Sequence, residues 1–269
     1  MNIVCVGDCG IDHYVESKQR RVGGISANFA LRARQCFSAD TRIQLIAPLG
    51  DDADAGIVRE RFTGSDIECR FTVMPGKTPI QSIKIDEDGE RRFVGYAEGV
   101  LKEFRIEGED SAYIQYADLV AAPVFMQNRK MFASLMQVKR QGMTAVDFAD
   151  FAQHPDFELL NQHVEHIGVA FFGLGAEQKD MIEALRLITS EHRVLLIVTL
   201  GADGSLALRD GCELSCAAHP VRRVVDTTGA GDAFAAGFLA HYCQTSDIGG
   251  SLEAASTIAA KVIQQHGAI

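Results

Sequence analysis

Residues 226–238 of this chain read Asp226-Thr227-Thr228-Gly229-Ala230-Gly231-Asp232-Ala233-Phe234-Ala235-Ala236-Gly237-Phe238. Phe234 and Phe238 in the apolar second half, and Tyr242 just beyond it, recur at helical spacing, which predicts a helix that begins near Gly231. A turn of small residues that leads into a helix leaves several backbone N–H groups unpaired at the positive end of the helix dipole. Such a turn favours an anion, and phosphate above all.

Asp232 lies at the edge of this turn. A carboxylate held beside a bound phosphate suits a general base that deprotonates an attacking hydroxyl. The structural alternative is that Asp232 caps a core helix behind a glycine-rich turn. The short pattern Gly-x-Gly-Asp does not decide between the two, because such turns are common.

Composition and charge exclude several classes of protein. The net charge of −10 and the pI of about 5.3 argue against a surface for nucleic acid or anionic membrane, which needs clustered Lys and Arg. No apolar run approaches the roughly 20 residues of a membrane helix, and the chain starts directly on a strand-like segment. Seven scattered cysteines do not form a disulfide framework. We therefore expect a reduced, cytoplasmic setting.

Two glycine-containing turns follow the first predicted strand. The turn at 7–12 lacks the Gly-x-Gly-x-x-Gly spacing, which disfavours an NAD-dependent oxidoreductase. The second turn begins at Gly23-Gly24, and we expect Ser26 to cap a helix that runs to about Cys36. Taken alone, this second turn is as compatible with a structural turn as with a binding site.

Strands and helices alternate along most of the chain, which predicts a single three-layer α/β/α sandwich with a mostly parallel sheet over residues 1–269. The β-branched run 194–199 is expected in the middle of that sheet. Residues 147–150 follow a strand at the edge where ligands bind in such folds. Short β-like runs at 67–74 and 80–94, with a hairpin turn at 86–89, predict a small antiparallel lid made from about 12–22 and 67–97.

The full stretch 226–238 resembles the signature of the ribokinase-like (PfkB) family of sugar kinases, and the Gly-Gly pair followed four residues on by Asn28 resembles its sugar-binding signature. The resemblance implies an ATP-dependent kinase that acts on a sugar-like alcohol. In that family Asp232 would be the catalytic base, and an anion hole would be formed by the amides of Gly229, Ala230 and Gly231.

The same resemblance assigns the remaining site. Asp12 and Asn28 would bind substrate hydroxyls, and Gly24 would leave room for them. The nucleotide would be bound by Thr199, Gly201, Gly204 and Thr228. Glu177 would orient Mg²⁺ through water, although Leu174 stands where the family motif has Asn. A monovalent cation is expected near Asp226, and a homodimer is expected through the lid.

Three segments resemble the fructoselysine 6-kinase branch, whose members phosphorylate the 6-hydroxyl of a fructose joined to an amino acid: residues 96–100, 146–150 and 266–268. Glu98 is our choice for the contact with the ammonium group of such a substrate. Kinases for free fructose, ribose or a nucleoside remain open, as does a non-catalytic sugar sensor.

Overall fold

The computed structural model describes residues 1–85, 91–265 and 267. Its first half contains β1 (Asn2–Val6), β2 (Gly10–Tyr14), β3 (Gln19–Gly23), α1 (Ile25–Cys36), β4 (Arg42–Gly50), α2 (Ala53–Phe62), β5 (Glu68–Met74), β6 (Ile80–Ile85), β7 (Arg91–Ala97), α3 (Glu109–Gln115) and β8 (Leu119–Val124). Its second half contains α4 (Arg129–Gln137), β9 (Met143–Phe148), α5 (Phe157–His163), β10 (Val169–Gly173), α6 (Lys179–Glu191), β11 (Leu195–Thr199), β12 (Ser205–Arg209), β13 (Cys212–Cys216), α7 (Ala230–Thr245) and α8 (Ile248–Val262).

A nine-stranded sheet forms the middle layer, in the order β13-β12-β11-β10-β9-β8-β1-β4-β5. The strands from β11 to β5 are parallel, whereas β12 and β13 are antiparallel. Side chains alternate across the sheet, so Ile3 and Cys5 face one core while Val4 and Val6 face the other. Helices α1, α2, α7 and α8 cover the first face, and α3 to α6 cover the second. This confirms the predicted three-layer α/β/α sandwich.

A second, four-stranded sheet has the order β3-β2-β6-β7, and we call it the lid. Its two outer pairs are antiparallel, but β2 and β6 pair in parallel. The lid is therefore mixed rather than wholly antiparallel. The predicted hairpin turn at 86–89 lies outside the described residues.

Two predicted strand positions are wrong. The sequence predicts residues 67–74 in the lid, but β5 pairs in parallel with β4 in the large sheet, because α2 supplies the crossover that a parallel pair requires. The sequence predicts the run at 194–199 in the middle of the parallel sheet, but β11 is the last parallel strand on its side, since its other neighbour β12 is antiparallel. The turn at 200–204 is too short for a crossover, so the next strand returns antiparallel.

The ends of the helices also differ slightly from the prediction. Gly24, not Ser26, is the N-cap of α1, and Ser26 lies in the first turn with its hydroxyl 3.2 Å from the carbonyl oxygen of Val6.

Within the described ranges, no helix is both long and apolar enough to span a bilayer.

Candidate active site

A cavity of about 990 Å³ lies between the lid and the carboxyl ends of the parallel strands. Its buried end is formed by Asp8, Asp12, Asn28 and Asp232. Its open end is formed by more exposed side chains from the lid and from the loops after β8 and β9: Arg92, Phe93, Met126, Asp150, Gln153 and His154. Asp12, Asn28 and Asp232 are predicted to share one site, and the fold brings these three together although they are far apart in the chain.

The turn before α7 has the conformation expected of an anion site. Gly229 is the N-cap residue with φ of 68°, a left-handed backbone that glycine adopts without strain. The first N–H groups of α7 have no acceptor within the helix, and Gly229 and Thr228 line the cavity. The amide of Ala230 donates to the carbonyl of Thr227 at 3.2 Å, so one of the three predicted amides already takes part in the turn.

Asp226 fixes the start of this turn. One carboxylate oxygen accepts hydrogen bonds from the backbone N–H of Thr228 at 2.9 Å and from the Thr228 hydroxyl. The other oxygen accepts from the backbone N–H of Gly267 at 2.8 Å. The backbone N–H of Asp226 also donates to the carbonyl of Ile263 at 3.2 Å. The segment after α8 therefore holds the anion turn in place.

Asp232 occupies the third position of α7 and is only 8% exposed. Its Oδ2 accepts a hydrogen bond of 2.9 Å from Nδ2 of Asn28, which lies on α1 and is 5% exposed. The other amide atom of Asn28, Oδ1, is buried without a hydrogen-bond partner in the described structure. Because a buried polar atom is costly when unpaired, this oxygen indicates a ligand group in the cavity.

Carboxylates crowd the buried end. Burial, and after it the charge of Asp147, raises the pKa of Asp232 well above its usual range, while the bond from Asn28 opposes this. Burial and the charge of Asp8 raise the pKa of Asp147 to about 7. Asp147 lies at the end of β9 and, together with Asp232, lines a small adjoining cavity of about 20 Å³. This electrostatic setting suits a base that works near neutral pH.

Asp8 is the main contributor to the buried end that is not among the predicted site residues. Its carboxylate accepts from the backbone N–H groups of Ile25 at 2.9 Å and Ser26 at 3.2 Å, so it caps α1 from a distant loop. Gly24 has φ of 104°, and an added Cβ would lie 2.8 Å from the Asp8 carbonyl oxygen. The predicted role of Gly24 in making room is consistent with this close approach. The signal for Asp8 was its place directly after β1, where parallel strands present ligand-binding residues.

The predicted nucleotide residues, Thr228 apart, lie outside the cavity lining. Thr199 ends β11, and its carbonyl accepts from the amide of Leu174 at 3.0 Å, which joins the ends of β10 and β11. Gly201 and Gly204 form the following turn, closed by the bond from the amide of Leu200 to the carbonyl of Gly204 at 2.8 Å. Gly201 is exposed in this turn at the carboxyl end of β11, where parallel strands present ligand-binding residues, whereas Gly204 is buried against β13.

Glu177 is exposed in the turn before α6, with its carboxylate folded against Gly175. In the part of the chain that the structure describes, no group of three His, Cys, Asp or Glu side chains could hold a metal ion. A single carboxylate such as that of Glu177 could serve only as an outer partner of a divalent ion whose direct ligands are phosphates and water.

Glu98 does not belong to the described lining of the cavity. Its carboxylate lies 3.2 Å from Nζ of Lys102, one helical turn further along the chain. The acidic side chain that does line the open end is Asp150, whose Oδ2 accepts from the amide of Met126 at 3.3 Å. The position of Asp150 after a strand end can be predicted from the sequence, but no sequence pattern assigns this residue a role.

Comparison with known proteins agrees with this geometry. The family model for pfkB family carbohydrate kinases matches residues 1–269. The fructoselysine 6-kinase of Escherichia coli is 30% identical over 268 residues, which cover 99% of this chain and 98% of that protein. The fructosamine kinase FrlD of Bacillus subtilis is 24% identical over 273 residues, covering 100% of this chain and 93% of that protein.

Solved structures show the same fold. The ribokinase of Arabidopsis thaliana, solved with ribose and ATP, superimposes with a TM-score of 0.79 at 19% identity, covering 99% of this chain and 93% of that one. The adenosine kinase of Sinorhizobium meliloti gives a TM-score of 0.82 at 18% identity, covering 99% of this chain and 95% of that one. At this level of identity the likeness is one of fold.

Proposed function

The chain belongs to the pfkB family of carbohydrate kinases, and on that premise we propose that it transfers the γ-phosphate of ATP to the 6-hydroxyl of a fructose joined to an amino acid. Membership makes it an ATP-dependent phosphotransferase that acts on a sugar. The observation that carries the proposal is the buried pair of Asn28 and Asp232 beside the anion turn, in a cavity whose open end carries charges. The finer choice of substrate is supported by the likeness to fructoselysine 6-kinases along the whole chain.

In this mechanism Asp232 takes the proton of the primary hydroxyl as that hydroxyl attacks the γ-phosphorus in line. Asn28 holds Oδ2 of Asp232 by its 2.9 Å bond, so we assign the proton to Oδ1. The N–H groups around Gly229 to Gly231 would face the transferring phosphoryl group and offset the charge that develops on it. Mg²⁺, bound through phosphates and water with Glu177 as an outer partner, would supply further charge neutralisation.

The buried end would hold the sugar. Asn28 Oδ1 lacks a protein partner in the described structure, and Asp12 lines the same buried end of the cavity, so we assign both to hydroxyls of a polyol. The lid covers this end and would exclude water once a sugar is bound. Thr199, Gly201, Gly204 and Thr228 are assigned to the nucleotide on the opposite side of the anion turn.

The open end would hold the amino-acid half. Arg92 reaches the cavity from the lid and Asp150 reaches it from the loop after β9, so opposite charges line the same space. A zwitterionic amino acid presents a carboxylate and an ammonium group, and it complements such a pair. A free hexose would leave this end unused.

Two further assignments remain proposals. We place a monovalent cation near Asp226, whose bonds to Thr228 and Gly267 order the loop before the anion turn. We also infer a homodimer through the lid, since Phe93 and Val94 expose 69% and 49% of their surface there.

The test is ADP release with Mg-ATP across a panel of fructosyl amino acids, free fructose, ribose and nucleosides. The highest kcat/KM is expected for a fructosyl amino acid, and Asp232→Asn should lower kcat by about 10²–10⁴-fold while ATP still binds. A preference for a free sugar or a nucleoside would reject the substrate and keep the chemistry. Wild-type turnover by Asp232→Asn would reject the catalytic assignment, and sugar binding without any turnover would indicate a sensor.

A further inference from the structure

The lid presents a row of side chains to the buried end of the cavity. Asp12 on β2 pairs with Gln81 on β6, and Gln81 pairs with Tyr96 on β7, so the three residues lie in register across three adjacent strands. Residues paired in this way point to the same face of a sheet, and all three line the cavity. With strands about 4.8 Å apart, the row spans roughly 10 Å.

Tyr96 has an unusual feature. Its hydroxyl is buried and has no hydrogen-bond partner in the described structure, although its neighbour Gln81 donates to the carbonyls of Ser82 at 3.1 Å and Gly95 at 2.9 Å. A buried hydroxyl that is left unpaired is expensive, and proteins retain such a group where a ligand supplies the partner.

The ring of Tyr96 is held from the other side of the cavity. It packs edge-on against Phe125, at 5.9 Å between ring centroids and 85° between planes. Phe125 follows β8 of the large sheet, so this contact joins the lid to the core and fixes where the hydroxyl lies. The hydroxyl is therefore positioned by packing and not by a polar partner of its own.

The surroundings decide which ligand group would meet it. Burial, followed by the negative charges of Asp8, Glu98 and Asp12, raises the pKa of Tyr96, so the phenol keeps its proton. The same carboxylates would repel a phosphate or carboxylate of a ligand. A sugar hydroxyl fits, because it accepts from the phenol and donates to a carboxylate.

We propose that Tyr96 is a substrate-binding residue, whose hydroxyl donates a hydrogen bond to a hydroxyl of the sugar and selects sugars that carry it. This inference rests on the proposed function, because it takes the cavity to be the sugar site. It does not depend on the appended amino acid, since Tyr96 and Asp12 share the row at the buried end.

Tyr96→Phe tests it, because phenylalanine keeps the ring and its contact with Phe125. The probe is the best substrate of the panel above, whether a fructosyl amino acid or a free sugar. We expect kcat/KM for the sugar to fall about 10-fold to 30-fold, with the KM for ATP unchanged. Without ligand, the variant should melt at the same temperature as the parent or higher, since an unpaired buried group has been removed.

Tyr113→Phe is the matched control, because the Tyr113 ring centroid lies 4.0 Å from Cζ of Arg70, outside the described cavity lining. This variant should leave kcat and both KM values unchanged. Sugars that each lack one hydroxyl complete a double-mutant cycle between the enzyme and the substrate. For the sugar that lacks the hydroxyl bound by Tyr96, kcat/KM should be the same for Tyr96→Phe and the parent. An unchanged kcat/KM for the panel's best substrate, a parallel loss of ATP affinity, or a lower melting temperature would overturn the assignment. If fructosyl amino acids are not substrates but a free sugar is, the proposed substrate fails, and the same test with that sugar still decides the role of Tyr96.

Discussion

Asp147→Asn offers a sharp test of the electrostatics at the buried end of the cavity. The folded chain raises the pKa of Asp147 from 3.8 to about 7 by burial and by the charge of Asp8. A carboxyl whose pKa is raised on folding prefers its protonated form in the folded state, so its ionisation costs stability. That cost is absent below the unfolded pKa near pH 4, grows as the pH rises from about 4 to about 7, and is complete above the folded pKa.

The magnitude follows from the shift. Three pKa units correspond to about 4 kcal/mol, and because the side chain is only partly buried, water screens some of this. We therefore expect Asp147→Asn to raise the free energy of unfolding by about 1–4 kcal/mol at pH 8 and by about zero at pH 4. The same change removes a charge that raises the pKa of Asp232, so the acid limb of the kcat/KM profile should move to lower pH.

The assay is urea unfolding of both proteins at several values between pH 4 and pH 8, with the pH profile of ADP release beside it. Asp66→Asn is the control, since it removes the same charge from an exposed turn at φ of 55°, where asparagine is well tolerated. A stability difference that does not depend on pH, or a loss of stability at pH 8, would refute the reasoning.

Two other substitutions test the substrate site. Gly23→Ala would place a Cβ 2.3 Å from Oδ1 of Asp12, so the KM for the sugar should rise about 10-fold or more. Gly56→Ala is its control, because an added Cβ there has no atom within 4 Å. Equal KM values for the two variants would show that Asp12 is not a ligand. Glu98→Gln should leave the KM for a fructosyl amino acid unchanged, because Glu98 pairs with Lys102. Asp150→Asn should raise that KM without changing the KM for free fructose. The reverse pattern would restore Glu98 as the ammonium contact.

Local patterns in the sequence predicted local structure well. The turn and helix at 226–238 are contiguous, so residue type and spacing suffice to predict both, and the structure has α7 beginning at Ala230. Strand β5 was misplaced because its neighbour along the chain, β6, does belong to the lid, and only pairing with β4 separates them. Pairing partners are a long-range property that β propensity does not encode.

The same distinction applies to the site. Asp12, Asn28 and Asp232 were predicted together only through the resemblance to a family, since nothing in their spacing of up to 220 positions indicates contact. The influence of Asp8 and Asp147 on Asp232 arises from burial at the end of the sheet, which no short pattern reports. The unpaired hydroxyl of Tyr96 is also visible only once the lid is packed against Phe125.

The division of the cavity between two sheets has a consequence for turnover. Asp12 and Tyr96 lie on strands of the small sheet, whereas Asn28 and Asp232 lie on helices packed against the large one. On the proposed function, a bound sugar ties these two bodies together, and product leaves only when they part. A substitution that adds contacts between the lid and the sugar would then both raise the affinity for the sugar and slow the release of the product. Variants selected for tight binding to a new sugar should accordingly be screened at saturating substrate, where slow opening limits kcat.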